Sequence, residues 1–506
     1  MSERRARWTF AGHPVVFPIS AAFILAFVLL GVLATGAVEQ AFQSLQNWIV
    51  KYCAWLYILA MSGFLVFVLW LGMSRHGRLR LGPDGSRPEF STPTWLAMLF
   101  SAGMGIGLIF FGVAEPVTHF AAPPTGSGGD PEAARRAMGL TLFHWGLHPW
   151  ALYTLTGVAL AYFGFRHNLS LSLRSAFQPL LGERIHGPIG NAIDILAVVA
   201  TLFGVATSLG LGAMQINAGL AKLLGISQTT VIQIALIAAI TALATISVVT
   251  GLHRGIRRLS ECNMLLAALL LAFVFVFGPT LFLLNALVEN LGAYLRQLPV
   301  NSFRTAAFQT DAHAAWLGNW TLFYWAWWIS WSPFVGLFIA RISYGRTVRE
   351  FVVCTLLVPT VASLIWFTTF GSAAIHQALT DPGLIAAVRH DIAAALFVFL
   401  DGFPLPSLSA ALAMACVLLF FVTSSDSGSL VIDMLASGGK PNPPLATRLF
   451  WAITEGVVAA VLLLAGGLQA LQTAALTTAL PFCLVLILIC FSLYVGLIRE
   501  KPARGA

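Results

Sequence analysis

Charge is what this 506-residue chain has least of: Asp, Glu, Lys and Arg make up 9% of it. Soluble domains carry about 25%, so an ordinary globular protein is excluded. A formal charge of +8 would suggest nucleic acid in a soluble protein, but here its distribution between apolar runs follows membrane topology, and no nucleic-acid partner is expected. Cysteine is sparse. Cys53, Cys262, Cys354, Cys416, Cys483 and Cys490 lie scattered in apolar segments with no metal-ligand or redox spacing, and read as small core residues. No cleavage site follows the basic opening MSERRARWTF, so the first apolar run is expected to be a span and not a removable signal. Rings of carboxylates and repeated filter sequences, the marks of an ion channel, are missing. So is an enzyme's constellation: His144 and His148 stand four apart without the intervening Glu and third ligand of a metallohydrolase.

What the chain does have is hydrophobic length. Apolar residues make up 58% and the mean hydropathy is +0.84. With about 20 apolar residues per crossing, roughly twelve spans are expected, near 15–37, 46–73, 93–119, 137–163, 189–223, 228–250, 260–287, 316–341, 351–376, 405–430, 446–467 and 472–498. The fold class is therefore an all-α polytopic membrane protein. With the N-terminus in the cytoplasm, only Lys51, Arg135, Arg136, Lys222, Arg296, Arg304 and Arg389 of the 28 Lys and Arg fall outside, a strong positive-inside bias. An even number of spans returns the C-terminus to the cytoplasm, and no soluble domain is expected at either end. The expected organisation is a tail and two peripheral helices over 1–92, a first helical unit over 93–287, an external amphipathic helix and loop over 288–315, a second unit over 316–498 and a short tail over 499–506.

The chemistry concentrates in a few stretches. Trp320 to Arg346 is apolar enough to cross a bilayer, yet it carries Trp320, Trp325, Trp327, Trp328 and Trp331 with Ser330, Ser332 and Pro333. Trp normally collects at the membrane boundary, and Trp328 and Trp331 lie well inside. Their spacing of three puts them on one face, and Pro333 is expected to loosen the helix just past them. FHWGLHPWALY adds Trp145, Trp150 and Tyr153 around Pro149. Together these rings predict an aromatic-walled cavity. A quaternary ammonium has no N–H to donate, but ring faces attract it by about 0.5–2 kcal/mol each, most when water is excluded.

Two further stretches are unusual for a lipid-facing helix. Ser101 to Pro116 contains Gly103, Gly105 and Gly107 on alternate positions, followed by Glu115-Pro116. Such glycines serve close helix packing or an unwound segment whose carbonyls meet an ion or a substrate. FFVTSSDSGS, Phe420 to Ser429, is dense in hydroxyls. Thr423 and Ser424 offer oxygen ligands to a hard monovalent cation, or bond to carbonyls one turn back. Asp194 is expected to partner a nearby Arg.

GMGIG with AEP, HWGLHPWALY, FYWAWWISWSPFVGLFIARIS and TSSDSG resemble the betaine/choline/carnitine transporter family, over nearly the whole chain from about Ala11 to Leu497. The resemblance implies a leucine-transporter-like fold of two inverted five-helix repeats, a homotrimer in a bacterial inner membrane, and alternating access. It implies a small quaternary ammonium substrate gripped by Trp145, Trp150, Tyr153 and Trp328, with Trp327 and Trp331 along the permeation path beside Gly103, Gly105 and Gly107. Sodium, the expected coupling ion in the absence of any other cofactor, would sit among carbonyls of Ser101, Met104 and Phe420 and the hydroxyls of Thr423 and Ser424. For the other sodium site of the family, Thr201 and Phe334 match, while Val205 stands where a second threonine would be. Choline carriers place an aspartate at the position of Gly107, so the glycine favours a zwitterion such as glycine betaine. Exchangers of carnitine place an arginine in the seventh span, and Cys262 to Leu265 supply none. The expected function is sodium-coupled import of glycine betaine, with proton- or potential-driven choline uptake as the alternative. The short tails lack the charged extensions of osmotically activated members, so constitutive uptake is expected.

Overall fold

The computed structural model describes residues 12–103, 105–250, 253–308 and 310–500. The cationic start, Met104 and the last six residues therefore lie outside the described residues. Helices α1 (Val16–Leu33) and α2 (Thr35–Met73) come first, then α3 (Thr92–Gly103), α4 (Ile106–Ala121), α5 (Pro131–Trp145) and α6 (Leu147–Ala161). Helices α7 (Pro188–Leu224), α8 (Thr230–Thr250), α9 (His253–Phe277) and α10 (Thr280–Ser302) follow. The second half holds α11 (Asp311–Ile342), α12 (Val348–Thr380), the short α13 (Pro382–His390) and α14 (Ala395–Leu400), and finally α15 (Pro406–Ala436), α16 (Leu445–Leu464) and α17 (Gly467–Arg499).

Among the described residues, nine helices are long and apolar enough to cross a membrane, and the bent pair α3–α4 makes a tenth. The other two expected spans are α8, whose described apolar stretch is the shorter Thr230–Ile246, and α5–α6, which is interrupted at Gly146. There Leu142 O and the Tyr294 hydroxyl would lie 2.6 and 2.5 Å from a Cβ, so only a glycine passes. Other boundaries move as well. The second span starts at Thr35, and Gly278-Pro279 ends α9 ten residues short of the expected limit, so the amphipathic helix begins at Thr280.

Capping chemistry accounts for several ends. Asp130 accepts from the Ala133 amide at the start of α5 (2.6 Å), and with the Ser127 hydroxyl this holds its carboxyl below the usual aspartate range. Thr347 and Glu350 form a capping box on α12. Gly225, left-handed at φ 69°, closes α7.

Lipid and interior are clearly separated. Helix α1 buries 28% of its apolar window, whereas α7 buries 89% and α11 83%. The two peripheral helices were expected at the edge, and α1 is there. At the centre α7 packs against α11, α15, α16 and α17. The approach of α7 to α11 needs Gly204, whose Cβ would meet Ser330 and Trp331 at 2.9 Å. Asp194, as expected, pairs with an arginine, Arg174.

Candidate functional site

The first element of the site is the break between α3 and α4. The two halves are bent by 61°, and Gly105 is extended at φ −163°, with no atom within 4 Å of where its Cβ would lie. A span broken this way is tolerated where it lines a cavity, and one lies here. It has a volume of about 220 Å³, below the roughly 300–1,000 Å³ of a drug-sized site and suited to a small solute.

Helices α4, α5, α6, α7, α11 and α15 all contribute to its wall. Trp145, Trp150, Tyr153, Trp327, Trp328, Trp331 and Phe334 line it with Gly105 and Gly107, and so do Ser101, Phe420, Thr423 and Ser424. The aromatic set and the hydroxyl set, drawn from separate stretches of the chain, thus share one chamber. Thr201 does not join them. It is fully buried and its hydroxyl donates to Ala197 O (2.7 Å).

Several of the rings around the chamber meet edge-on. Trp145 meets Trp328 edge-on at 4.9 Å and 73°, Tyr153 meets Trp328 at 6.4 Å and 81°, and Trp150 meets Tyr153 at 5.4 Å and 79°. Trp327 stacks on Trp328 at 4.7 Å. Four indole N–H groups are pinned: Trp145 donates to Glu115 Oε2 (2.8 Å), Trp328 to His144 O (3.0 Å), Trp331 to Gly204 O (2.8 Å) and Trp327 to Ser208 Oγ (3.2 Å). A buried indole needs such a partner, and here the partner also fixes the ring plane. Gly107 has a packing reason: its Cβ would lie 2.7 Å from both Trp145 and Trp327.

The expected loosening at Pro333 does not occur. Helix α11 continues to Ile342 through the proline. Pro333 cannot donate to Ile329 O, and the Ser332 hydroxyl donates there instead (2.8 Å). The irregular turn of this helix lies earlier, as a π-helical turn over Gly318–Leu322.

Sequence reasoning left Glu115 without a role, and the structure makes it a hub of the site. It is fully buried. Besides Trp145 it accepts from the Tyr324 hydroxyl (2.5 Å) and lies 2.6 Å from His144 Nδ1 and 3.3 Å from His119 Nε2. His144 in turn touches Thr321 Oγ1 (2.9 Å). Glu115, His119 and His144 thus bring three ligand-type atoms within 4.8 Å, the third partner that the sequence pattern around His144 did not reveal. His148 faces elsewhere, to Ser302 (3.1 Å). The spacing of Glu115 and His119, four apart on a helix, was the available signal.

On the hydroxyl side, Thr423 donates to Leu419 O (2.8 Å) and Phe420 O (3.3 Å), the back-bonding arrangement considered from the sequence. Donation turns the hydrogen away and leaves the oxygen lone pairs able to accept.

Comparison with known proteins decides what such a chamber belongs to. The sequence profile of the betaine/carnitine/choline family transporters matches residues 15–502. The chain belongs to this family. It is therefore a multi-pass membrane transporter and not an enzyme. The transporter is 45% identical over 483 residues to the glycine betaine transporter of Acinetobacter baylyi, covering 95% of this chain and 73% of that one. It is 46% identical over 505 residues to a glycine betaine/proline/choline transporter of Vibrio parahaemolyticus, covering 96% and 90%. It is 44% identical over 487 residues to the glycine betaine transporter OpuD of Bacillus subtilis, covering 96% and 94%. Membership also makes a small quaternary ammonium compound the class of substrate.

Proposed function

We propose that the transporter imports glycine betaine by sodium-coupled symport. The observation that carries this reading is the shared chamber: Trp145, Trp150, Tyr153 and Trp328 line one part of it, and Ser101, Phe420, Thr423 and Ser424 another. In this reading the four rings grip the trimethylammonium group through their faces, while Trp327 and Trp331 line the path. The hydroxyls of Thr423 and Ser424 and the carbonyls of Ser101, Met104 and Phe420 hold sodium, and Thr201 with Phe334 marks the remnant of a second ion site. Gly107 supports a zwitterionic cargo, because a carboxylate side chain there would have to displace Trp145 and Trp327. The glycine path at Gly103, Gly105 and Gly107 lets backbone approach the cargo.

The same reading gives an arrangement in the membrane. Residues 93–277 and 316–498 form the two inverted repeats around the chamber, behind the peripheral helices of 1–92 and joined through the amphipathic helix that begins at Thr280. The protein sits as a homotrimer in a bacterial inner membrane with the 499–506 tail and the N-terminus in the cytoplasm. The breadth of the Vibrio relative's cargo supports choline as the second reading.

The deciding experiment is uptake of labelled glycine betaine and choline into proteoliposomes with a sodium gradient, a proton gradient or neither. Betaine accumulation that requires sodium is expected. Choline uptake indifferent to sodium overturns both the cargo and the coupling ion and leaves the aromatic cage standing.

A further inference from the structure

Between α15 and α16, beside residues of α15 that line the chamber, a second polar feature has no part in the reading above. Its centre is Glu455 on α16, which is fully buried. The Ser425 hydroxyl stands 3.5 Å from Oε2, and Oε1 has no hydrogen-bond partner. No lysine, arginine or histidine forms an ion pair with it among the described residues.

Glu455 ends a polar seam between α15 and α16. From the 437–444 connection inward, Thr447 donates to Asp433 (3.0 Å), Arg448 donates to Asp426 (3.1 Å), and Ser425 reaches Glu455. Arg448 and Glu455 are seven apart, on one face of α16. At its inner end the seam stops against Gly428 and Val205. A Cβ at Gly428 would lie 3.4 Å from Glu455 Oε1 and 3.1 Å from a Val205 methyl, so the glycine keeps open the space beside the carboxyl.

The remaining neighbours offer no counter-charge. Helices α1 and α8, packed against α16, carry no titratable residue. On α7, Asp194 pairs with Arg174 and Lys222 with Asp401. On α17 the titratable side chains are Cys483, Cys490, Tyr494 and Arg499, and Arg499 donates to Pro179 O at the outer end of the helix. On α15, Asp426 is with Arg448 and Asp433 with Thr447. A carboxylate taken out of water without a cation costs several kcal/mol, whereas a neutral acid is tolerated. Two oxygens beside a valine methyl make too thin a shell for a metal ion, so the ligand that fits is a proton.

We propose that Glu455 is a proton-binding site at the inner end of this seam, and that its protonation state controls how α15 and α16 pack during transport. Binding forms an O–H bond at Oε1 and cancels the carboxylate charge; release returns the proton to water at the outer end of the seam. The ionised form draws the Ser425 hydroxyl and the positive Arg448 toward it, and the neutral form lets α15 slide free. Because α15 also lines the chamber, the pH on that side adjusts the transport rate. This inference rests on transporter activity, not on which ammonium compound is carried.

The test is a pH titration of the reconstituted protein by infrared difference spectroscopy, which needs no substrate, together with uptake at a fixed sodium gradient over the same pH range. The wild type is expected to show the carbonyl band of a buried carboxylic acid, shifted in D2O and lost at high pH. Glu455→Gln is expected to lack that band and to keep uptake, with its pH profile flattened. A single controlling proton changes the wild-type rate by up to about tenfold per pH unit on the titrating limb. Ser425→Ala, which removes only a donor, is expected to move the band and the midpoint while transport persists. The proposal is overturned if Glu455→Gln retains the band or the wild-type pH profile, or if wild-type uptake does not vary with pH. Should Glu455→Gln fail to reach the membrane, the Ser425→Ala band decides: a shift supports the assignment and an unmoved band rejects it. Failure of wild-type betaine uptake with the band present would refute the substrate reading alone.

Discussion

Trp328 is the residue on which the cage depends most. It touches Trp145, Tyr153 and Trp327 at once, and its N–H is tied to the backbone of α5. Trp328→Leu removes a ring face and an anchor together. Uptake is expected to fall by about tenfold or more, on a loss of 0.5–2 kcal/mol for the ring plus the disturbed neighbours, while the protein remains in the membrane. Uptake at the wild-type rate, with membrane content checked by blotting, would remove Trp328 from the cage. That Trp145, Trp150, Tyr153 and Trp328 line one chamber was legible in the sequence because aromatic residues deep in a span have few other reasons to be there. Glu115 was not, because a single acid says nothing of its partners; His144 and Tyr324 reach it from helices 29 and 209 residues further on. Thr201 shows the converse: a matching residue type whose hydroxyl is directed to its own helix.

At the scale of elements, apolar length located nearly every span, since the bilayer imposes it. Breaks were harder to place. Glycines at 103–107 signalled one, but Gly146 and the pair Gly278-Pro279 interrupt helices at points that hydropathy averages away. Pro333 signalled a break that Ser332 repairs, because a hydroxyl one residue away can replace a missing amide. The start of α12 is specified locally by its capping box. Thr347→Ala is expected to cost about 1 kcal/mol of stability, read as a lowered unfolding midpoint in detergent, with uptake per molecule unchanged. An unchanged midpoint would mean that packing alone determines where α12 begins.

For the whole molecule, the proposed function puts ion and cargo in one chamber, so on that proposal binding of each stabilises the folded protein in the presence of the other. A ligand at about 100 times its Kd adds about 2.7 kcal/mol. Glycine betaine is therefore expected to raise the unfolding temperature in sodium buffer and much less in potassium buffer, as followed by tryptophan fluorescence. Equal shifts in the two buffers would separate the cargo site from any sodium site. The burial pattern points the same way: the helices that carry the chamber, α7 and α11, are also among those most withdrawn from lipid.

The π-helical turn at Gly318–Leu322 has a consequence for sequence change. Such a turn holds one residue more than regular helix geometry requires, just upstream of the tryptophans of α11. Loss of one residue within it can be absorbed by a return to the α-helical repeat, with the rings still in phase. The same loss between Phe323 and Trp328 has no slack to draw on and would swing one set of side chains by about 100° relative to the other. Evolution can therefore shorten this helix at one place without rotating its rings away from the chamber.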